Sequence, residues 1–466
     1  LLCSAGQQCG LFALGWIALT PLLWALHSLS DKQRFWRGWL AGFFIYLLVN
    51  WWIAPTIARA APMIGLSMIP GAMLGVIATV LVAAIHGFGV AFCALLWNAQ
   101  RPVFQRNAWV LPLYFAAIWT LWDVLRTSGQ HAHAWGALGY TQWRDIALLQ
   151  NASWAGQHGL TFFCAWFAAS LALWARVGQP VLWRAPLIVL LALHGVGALL
   201  LNAPQESHTS ALRVLVVQTA VPSLRKNQRG RETDPLREAL RLSYQNARRG
   251  EFDLIVWPET TVDAVGAEGE RQVALVQRLA QEMNAHVLFG TRERATPYFY
   301  NVAALIEPAS RGEFSYHPKR RLVPFGERAP YGDIFPFLKR FAPQPEVRSG
   351  DDMKYFNLRL NSPRLNARFQ LGTVICFESC FPSPADRARV TGAQAFFILT
   401  NDEWFAGSNA PWEHAAMASM RAVENGVWTV QSANGGYSFV VDRYGRFVVK
   451  SAFNKAQTLA VDVPLN

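Results

Sequence analysis

The chain runs to 466 residues, enough for two or three ordinary domains, yet of its 42 basic and 30 acidic side chains only ten and three lie in residues 1–202. A water-facing half of that length carries far more charge, so a single soluble globule is excluded, and 52% hydrophobic with 13% aromatic content excludes intrinsic disorder. The net charge of +12 comes with no recognisable nucleic-acid motif, which leaves a membrane protein carrying one large soluble domain and no nucleic-acid partner.

Residues 1–202 read as the membrane domain. A spanning helix needs about 20 mostly apolar residues. Six segments qualify, at 11–27, 38–54, 71–97, 107–125, 157–177 and 181–201. Lys32, Arg34, Arg37, Arg101, Arg106, Arg176 and Arg184 fall in one set of connecting loops, and Arg59, Arg126 and Arg144 in the other. Seven against three puts the first set in the cytoplasm and residues 203–466 on the outer, periplasmic side. Trp51, Trp52, Trp97, Trp122 and Trp174 sit near span ends and read as interface anchors. Asp123 and Arg126, three apart on one helical face, are placed to pair structurally. His86 lies inside a span, where a packed neutral imidazole and a functional group are both open readings; His131 and His133 lie in a loop and are expected to be solvated.

Cysteine adds little framework. Cys3 and Cys9 lie at the N-terminus, Cys93 and Cys164 in apolar segments, and Cys376 and Cys380 are too few to hold a metal, so neither disulfides nor a metal site is expected. The chain opens on Leu1 without a cleavable signal sequence, and its N-terminus reads as cut from a longer chain.

From residue 211 the period changes. Short apolar runs at 212–217, 254–257, 287–289, 302–306, 369–375, 395–399 and 427–432 read as buried strands, with helical patterns at 232–249, 267–284 and 410–425 between some of them. That alternation predicts an α/β domain over 203–466, closed by a hairpin at 439–442 and 447–450. Residues 317–353 form the longest irregular stretch, a place where function often sits.

Three stretches carry chemistry. In Val256-Trp257-Pro258-Glu259-Thr260 a strand ends at a Pro, leaving Glu259 at the carboxyl edge of the sheet where α/β folds bind ligands. In Lys319-Arg320-Arg321-Leu322-Val323-Pro324-Phe325-Gly326-Glu327 a basic run passes straight into an apolar turn that a surface loop would not need. In Gly372-Thr373-Val374-Ile375-Cys376-Phe377-Glu378 an apolar strand delivers a cysteine to a sharp turn. Singly, each has a bland reading: a solvated Glu, a surface Lys, an inert buried thiol. Together they complement one another. A thiol needs a base or a cation to become a nucleophile, a carboxylate can take its proton, and an ammonium can stabilise thiolate and oxyanion.

Glu259, Lys319 and Cys376, in this order at element edges, resemble the triad of the nitrilase (carbon–nitrogen hydrolase) superfamily. Thr400-Asn401-Asp402-Glu403-Trp404-Phe405, Met420-Arg421-Ala422-Val423-Glu424-Asn425-Gly426 and Asp442-Arg443-Tyr444-Gly445-Arg446 are similar to that fold's downstream signatures. With the membrane half before it, the chain resembles the apolipoprotein N-acyltransferase family. The resemblance implies a polytopic α-helical membrane domain plus a nitrilase-like four-layer αββα sandwich in the bacterial inner membrane. It implies Glu259 as general base, Lys319 as oxyanion-stabilising cation, Cys376 as nucleophile, and Glu327 and Glu378 as supporting acids. It implies no cofactor, a phospholipid acyl donor and an apolipoprotein acceptor with a diacylglyceryl-cysteine N-terminus. The chain departs from the family pattern at Phe377, where Tyr is frequent, and at Gln218-Thr219-Ala220, where Gln-Gly-Asn is common. A membrane-tethered amidase, a lipid-binding pseudoenzyme and a Cys376–His414 dyad are the competing readings; His414 sits in a helical pattern, where a structural role is the ordinary one.

Overall fold

The structure is a computed structural model. It describes residues 12–98, 100–203, 210–222, 234–343, 346–351, 355–361, 366–382 and 392–464. Cys3, Cys9 and the rest of residues 1–11, on which the expectation of a longer chain rests, lie outside the described residues. The chain divides into two compact units, Leu1–Pro204 and Gln205–Asn466.

The first unit is helical. Each of the six apolar segments contains helix, the main ones being Asp31–Val49, Met68–Leu96, Val110–Arg126, Ala152–Val177 and Val181–Leu201. Among the described residues, Met68–Leu96, Ala152–Val177 and Val181–Leu201 are long and apolar enough to cross a membrane; the pair Asp31–Val49 and Ile53–Ile64, bent by 52°, makes a fourth if it counts as one span. Helix is the element to expect here, because in hydrocarbon only a helix or a closed barrel satisfies its own backbone. Asp31–Val49 and Met68–Leu96 pack closely: a Cβ on Gly42 would sit 2.6 Å from the Val90 side chain, so the two backbones meet only because that position is Gly.

Two sequence expectations change in this unit. His133 is not solvated: its Nε2 lies 2.7 Å from the Asn50 side chain, and its ring stacks on Trp135. Trp97 is not an interface anchor but an interior residue whose indole N–H donates to the Leu23 carbonyl, and Trp52 is buried beside Trp135. Asp123 and Arg126 do pair, both fully buried, and Arg126 also donates to the carbonyls of His133 and Trp135. An unpaired charge at such a place is costly, which is reason enough for the pair. His86 packs among Tyr46, Trp122 and His133.

The second unit is two six-stranded sheets face to face. The first runs β12-β1-β2-β3-β4-β5, the second β11-β10-β9-β8-β7-β6. The strands are β1 (Ala211–Gln218), β2 (Leu254–Val256), β3 (His286–Ala295), β4 (Tyr298–Ile306), β5 (Ser315–Pro318), β6 (Phe356–Asn361), β7 (Asn366–Ile375), β8 (Ala395–Thr400), β9 (Trp428–Ala433), β10 (Phe439–Val441), β11 (Phe447–Lys450) and β12 (Gln457–Pro464). The centre of each sheet is parallel, β1-β2-β3 in one and β7-β8-β9 in the other. One core lies between the sheets and joins Val214, Val256 and Leu288 to Leu371, Phe397 and Val430. A second seals the outer face of the first sheet under the helices Pro235–Asn246 and Gly266–Met283, with Trp257 and Phe289 inside it. A third seats the helix Ala410–Asn425 on the second sheet through Ala415, Ala418 and Ala422. Helices, sheet, sheet, helix: this is the four-layer sandwich. The Ser432 hydroxyl ties the two sheets at their middle by donating to the carbonyls of Val217 and Val256.

At Gln218-Thr219-Ala220 the departures from the family pattern stay inside the framework. The buried Gln218 amide donates to the carbonyls of Ala452 and Lys455, and the Thr219 hydroxyl donates to Asn434. Ala220 holds φ +52°, a left-handed conformation that the family's Asn adopts with less strain.

Candidate active site

Parallel strands place the candidate groups. β2 ends at Val256, and the Trp257 N–H continues its ladder to the Leu288 carbonyl before Pro258 stops it. The next residue is Glu259, buried with 6% of its surface exposed. The turn behind it presses against β3: a Cβ on Gly290 would lie 2.5 Å from both Glu259 Cα and Thr260 N. Only Gly lets β3 pass so close to Glu259.

Lys319 follows β5 directly. Its N–H donates to the Asn301 carbonyl at 2.7 Å and its own carbonyl accepts from Gly350, so the backbone is fixed on both sides. The ammonium is 1% exposed and bonds Glu259 Oε1 at 3.1 Å and Glu327 Oε1 at 3.0 Å. The Asn301 amide donates to the same two carboxylates, at 2.7 Å and 2.9 Å. Glu327 Oε2 accepts from the Val323 N–H, so the Leu-Val-Pro-Phe-Gly-Glu turn exists to bring this acid back onto Lys319.

Cys376 ends β7 at the opening of a short 3-10 turn, Cys376–Cys380. It holds φ +51°, a left-handed backbone that costs a non-Gly residue about 1–3 kcal/mol and is kept only where the surroundings enforce it. Glu378 does much of the enforcing. Its Oε2 accepts from the Ile375 N–H at 2.8 Å, and its Oε1 accepts from the N–H groups of Arg320 and Arg321 at 2.8 Å and 3.0 Å. One buried carboxylate thus locks the turn bearing the thiol to the strand exit bearing the ammonium.

The electrostatics fit together. Burial works hardest against ionising Glu259, but Lys319 and then the Asn301 amide outweigh it and hold the carboxyl below its usual range. Lys319 is likewise opposed by burial and held well above its usual range by Glu259 and Glu327. Burial, then the Glu259 charge, pushes the Cys376 thiol up to about 12. The thiol therefore rests protonated, and its presence helps hold the Glu259 carboxyl down. An ammonium has three hydrogens and the carboxylates take two, which leaves one for a developing oxyanion.

Glu259, Lys319, Cys376 and Glu327 thus meet in one cluster, and Glu378 braces it through the backbone. Phe377 packs edge-on against Phe381, with ring centroids 5.0 Å apart. Two contributors went unread in the sequence. Asn301 was legible only as a polar residue in an otherwise apolar run, and Gly290 only as a Gly within a strand, each a weak signal. The Cys376–His414 pairing takes another form: His414 Nε2 lies 3.2 Å from the Cys376 carbonyl oxygen, and Nδ1 lies 2.8 Å from Asp402. Among the described residues no group of three or more His, Cys, Asp and Glu side chains is placed to hold a metal ion.

The comparisons agree with this architecture. Residues 216–466 match the carbon–nitrogen hydrolase family, and residues 1–170 match the apolipoprotein N-acyltransferase N-terminal domain. An apolipoprotein N-acyltransferase of Agrobacterium fabrum is 30% identical, the alignment covering 94% of this chain and 83% of that one. One from Chlorobaculum tepidum is 26% identical over 97% of this chain and 86% of its own. Among solved structures, an amidase of the nitrilase superfamily from Nesterenkonia is 20% identical at a TM-score of 0.39, covering 56% of this chain and 92% of its own. With its membrane-length helices and its carbon–nitrogen hydrolase unit, the chain belongs to the apolipoprotein N-acyltransferase family of membrane acyltransferases.

Proposed function

We propose that this protein transfers a fatty acyl chain from a phospholipid, through a thioester on Cys376, to the α-amine of a diacylglyceryl-cysteine at a lipoprotein N-terminus. The observation that carries the reading is the buried cluster of Glu259, Lys319 and Cys376, in a chain whose other unit holds membrane-length apolar helices. In this reading residues 1–202 form a membrane domain of about six spans and residues 203–466 a catalytic domain. The excess of basic residues in alternate loops supports a periplasmic position for the catalytic domain in the inner membrane.

The chemistry follows from the resting charges. A carboxylate held below its usual range cannot deprotonate a thiol near 12 in a separate step. Proton transfer therefore accompanies attack. As the Cys376 sulfur bonds to the ester carbonyl carbon, its proton passes to Glu259, and the carbonyl electrons move onto oxygen beside Lys319. Collapse of the tetrahedral adduct breaks the C–O bond, Glu259 returns the proton to the leaving lysophospholipid oxygen, and the thioester remains. In the second half-reaction the α-amine attacks the thioester carbonyl, Glu259 takes a proton from the attacking nitrogen, and Cys376 leaves and regains that proton. Glu327 keeps Lys319 in place throughout, and Glu378 keeps the thiol and the ammonium in register.

The test is mass spectrometry of the purified protein incubated with phospholipid alone. A fatty acyl adduct should form on Cys376, persist, and discharge when a diacylglyceryl-cysteine peptide is added. Cys376→Ala should abolish the adduct and Cys380→Ala should leave it. Steady release of fatty acid without an amine would instead mark a hydrolase, and an adduct surviving in Cys376→Ala would sink the mechanism. For orientation, a cysteine at the exposed position Glu270 should label from the periplasmic side of intact spheroplasts, above the signal of the unsubstituted chain.

A further inference from the structure

Behind the nucleophile, on the side away from Glu259 in the bonding network, lies a chain of polar groups that the acyl-transfer steps do not use. Asp402 Oδ1 lies 2.8 Å from His414 Nδ1. His414 Nε2 lies 2.7 Å from Ser379 Oγ and 3.2 Å from the carbonyl oxygen of Cys376. The Ser379 hydroxyl donates to that same carbonyl at 2.8 Å, and the Thr400 hydroxyl donates to Asp402 Oδ1 at 2.8 Å. Ser379, Asp402 and His414 are all buried, at 1% exposure or less. The arrangement looks like a Ser-His-Asp triad, but its serine faces a backbone carbonyl instead of a cleft.

The partners favour one protonation state. Nδ1 faces a carboxylate and Nε2 faces a carbonyl, and both are acceptors only. With the Ser379 hydrogen on the carbonyl, Ser379 Oγ accepts from Nε2. Both ring nitrogens therefore carry hydrogen, and the ring is an imidazolium. We propose that His414, held as an imidazolium by Asp402, is the positioning residue of the nucleophile: with Ser379 it clamps the Cys376 carbonyl and keeps the turn in its left-handed conformation. The proposal rests on Cys376 being the nucleophile. It adds a second cation, besides Lys319, whose charge acts on the thiol.

The groups facing the ring are consistent with this. Burial opposes its charge, but Asp402 and then Cys380 hold His414 protonated well above the usual histidine range. Its charge in turn favours the Cys376 thiolate, against burial and the charges of Glu259 and Asp402. A peptide carbonyl held by two donors cannot rotate. The Cα–Cβ bond of Cys376 is then aimed by backbone alone, which lets a residue with no contact to substrate govern the direction of attack.

The test uses the full chain in phospholipid–detergent micelles, with two readouts on Cys376: acylation by phospholipid, and alkylation by iodoacetamide across pH 6–10. His414→Gln should displace the alkylation profile to higher pH by about one unit, a tenfold slower reaction at any given pH. It should also slow acylation by about 10²-fold, the scale of losing a catalytic orienting contact. Ser379→Ala removes one donor and no charge, so it should slow acylation by less than His414→Gln and leave the alkylation profile in place. The neutral pair His414→Gln with Asp402→Asn should bring the profile most of the way back, a charge effect that mere loss of packing would not produce. A correctly folded His414→Gln chain with its alkylation profile unmoved would overturn the imidazolium, and one with acylation unchanged would overturn the clamp. If that variant does not accumulate, ¹⁵N-histidine NMR of the unsubstituted chain at pH 8 decides: imidazolium shifts for His414 sustain the proposal and neutral shifts defeat it. If phospholipid leaves no adduct while the alkylation profile still responds to His414, acyl transfer fails and this positioning role survives.

Discussion

Replacing Lys319 by Met keeps the alkyl stem and deletes the charge, and the geometry says what should follow. In the native site the ammonium sits between Glu259 and Glu327, 3.1 Å and 3.0 Å from their Oε1 atoms. Without it both carboxylates still converge on the one Asn301 amide, at 2.7 Å and 2.9 Å, with no cation between them. Removing one partner from a buried ion pair costs about 3–5 kcal/mol, because the remaining charge stays buried. That is a large part of the roughly 5–15 kcal/mol that a domain has in hand. The protonation of the pair should change too. Burial is the strongest influence on Glu259 and raises it; Lys319 is the strongest opposing one. With the lysine gone, the Glu259 carboxyl rises above its ordinary 4.5 and keeps a proton longer as pH rises. The base is then lost as well as the cation.

The pH window follows from the same directions. A depressed carboxyl stabilises the fold above its ordinary 4.5 and loses that contribution as pH falls through its folded value. A raised ammonium stabilises the fold below its ordinary 10.5 and loses the contribution as pH rises through its folded value. The advantage of the native chain over Lys319→Met should therefore be level from the variant's raised carboxyl value up to 10.5, and shrink in acid below it. Chemical denaturation in detergent micelles across that range measures it. Adding Glu259→Gln and Glu327→Gln to Lys319→Met should restore most of the lost stability and none of the acylation of Cys376. Native-like stability in Lys319→Met alone, or a triple variant no better than the single one, would refute the electrostatic account.

Lys319→Arg should slow Cys376 acylation on the order of 10²-fold, since a planar guanidinium cannot put one compact charge between two carboxylates and an oxyanion; single-turnover mass spectrometry reads this. Glu378→Gln keeps the shape but brings an NH₂ donor against an N–H of Ile375 or of Arg320 and Arg321, so a stability loss of about 1–3 kcal/mol is expected in denaturation, with a matching fall in acylation. Gly290→Ala puts a Cβ 2.5 Å from Glu259 Cα, and the displaced base should reduce acylation far more than alkylation of Cys376 by iodoacetamide.

What could be read from the sequence was whatever a periodic pattern or a residue's chemistry announces locally. The buried strands show as apolar runs because the central strands of both sheets are covered on both faces. The Glu-Lys-Cys set could be read because each member stands where an apolar run breaks off. By contrast β5, β6 and β12 were missed. Phe356-Asn357-Leu358-Arg359-Leu360-Asn361 does alternate apolar and polar residues and went unread as a short run beside a charge-mixed stretch. Tyr316-His317-Pro318 and 457–464 carry no clear alternation, and β5 and β6 lie at sheet edges, where one side needs no partner. β12 is held by pairing with β1 along its whole length, a long-range match that no local window contains. Asn301 and Gly290 escaped for a related reason: their importance lies in what crosses them, a lysine eighteen positions on in one case and a turn thirty positions back in the other. His133, Trp52 and Trp97 were placed at the surface because a loop or a span end reads as surface until a second helix is seen to cover it.

The burial that hides these residues from a sequence reading also sets the chemistry. Glu259, Lys319 and His414 are each opposed by burial and restored by a neighbour: Glu259 by Lys319, Lys319 by two glutamates, His414 by Asp402. The Cys376 thiol is the exception, since burial and the Glu259 charge both push it toward the neutral form, up to about 12. A neutral resting thiol is a poor target for adventitious oxidation or alkylation, because the thiolate is the reactive species. In the proposed mechanism, attack becomes favourable only when an acyl carbonyl arrives to accept the electrons beside Lys319 while Glu259 takes the proton. Reactivity is thereby tied to the presence of substrate, as the proposed transfer from an ester donor through a thioester to an amine requires.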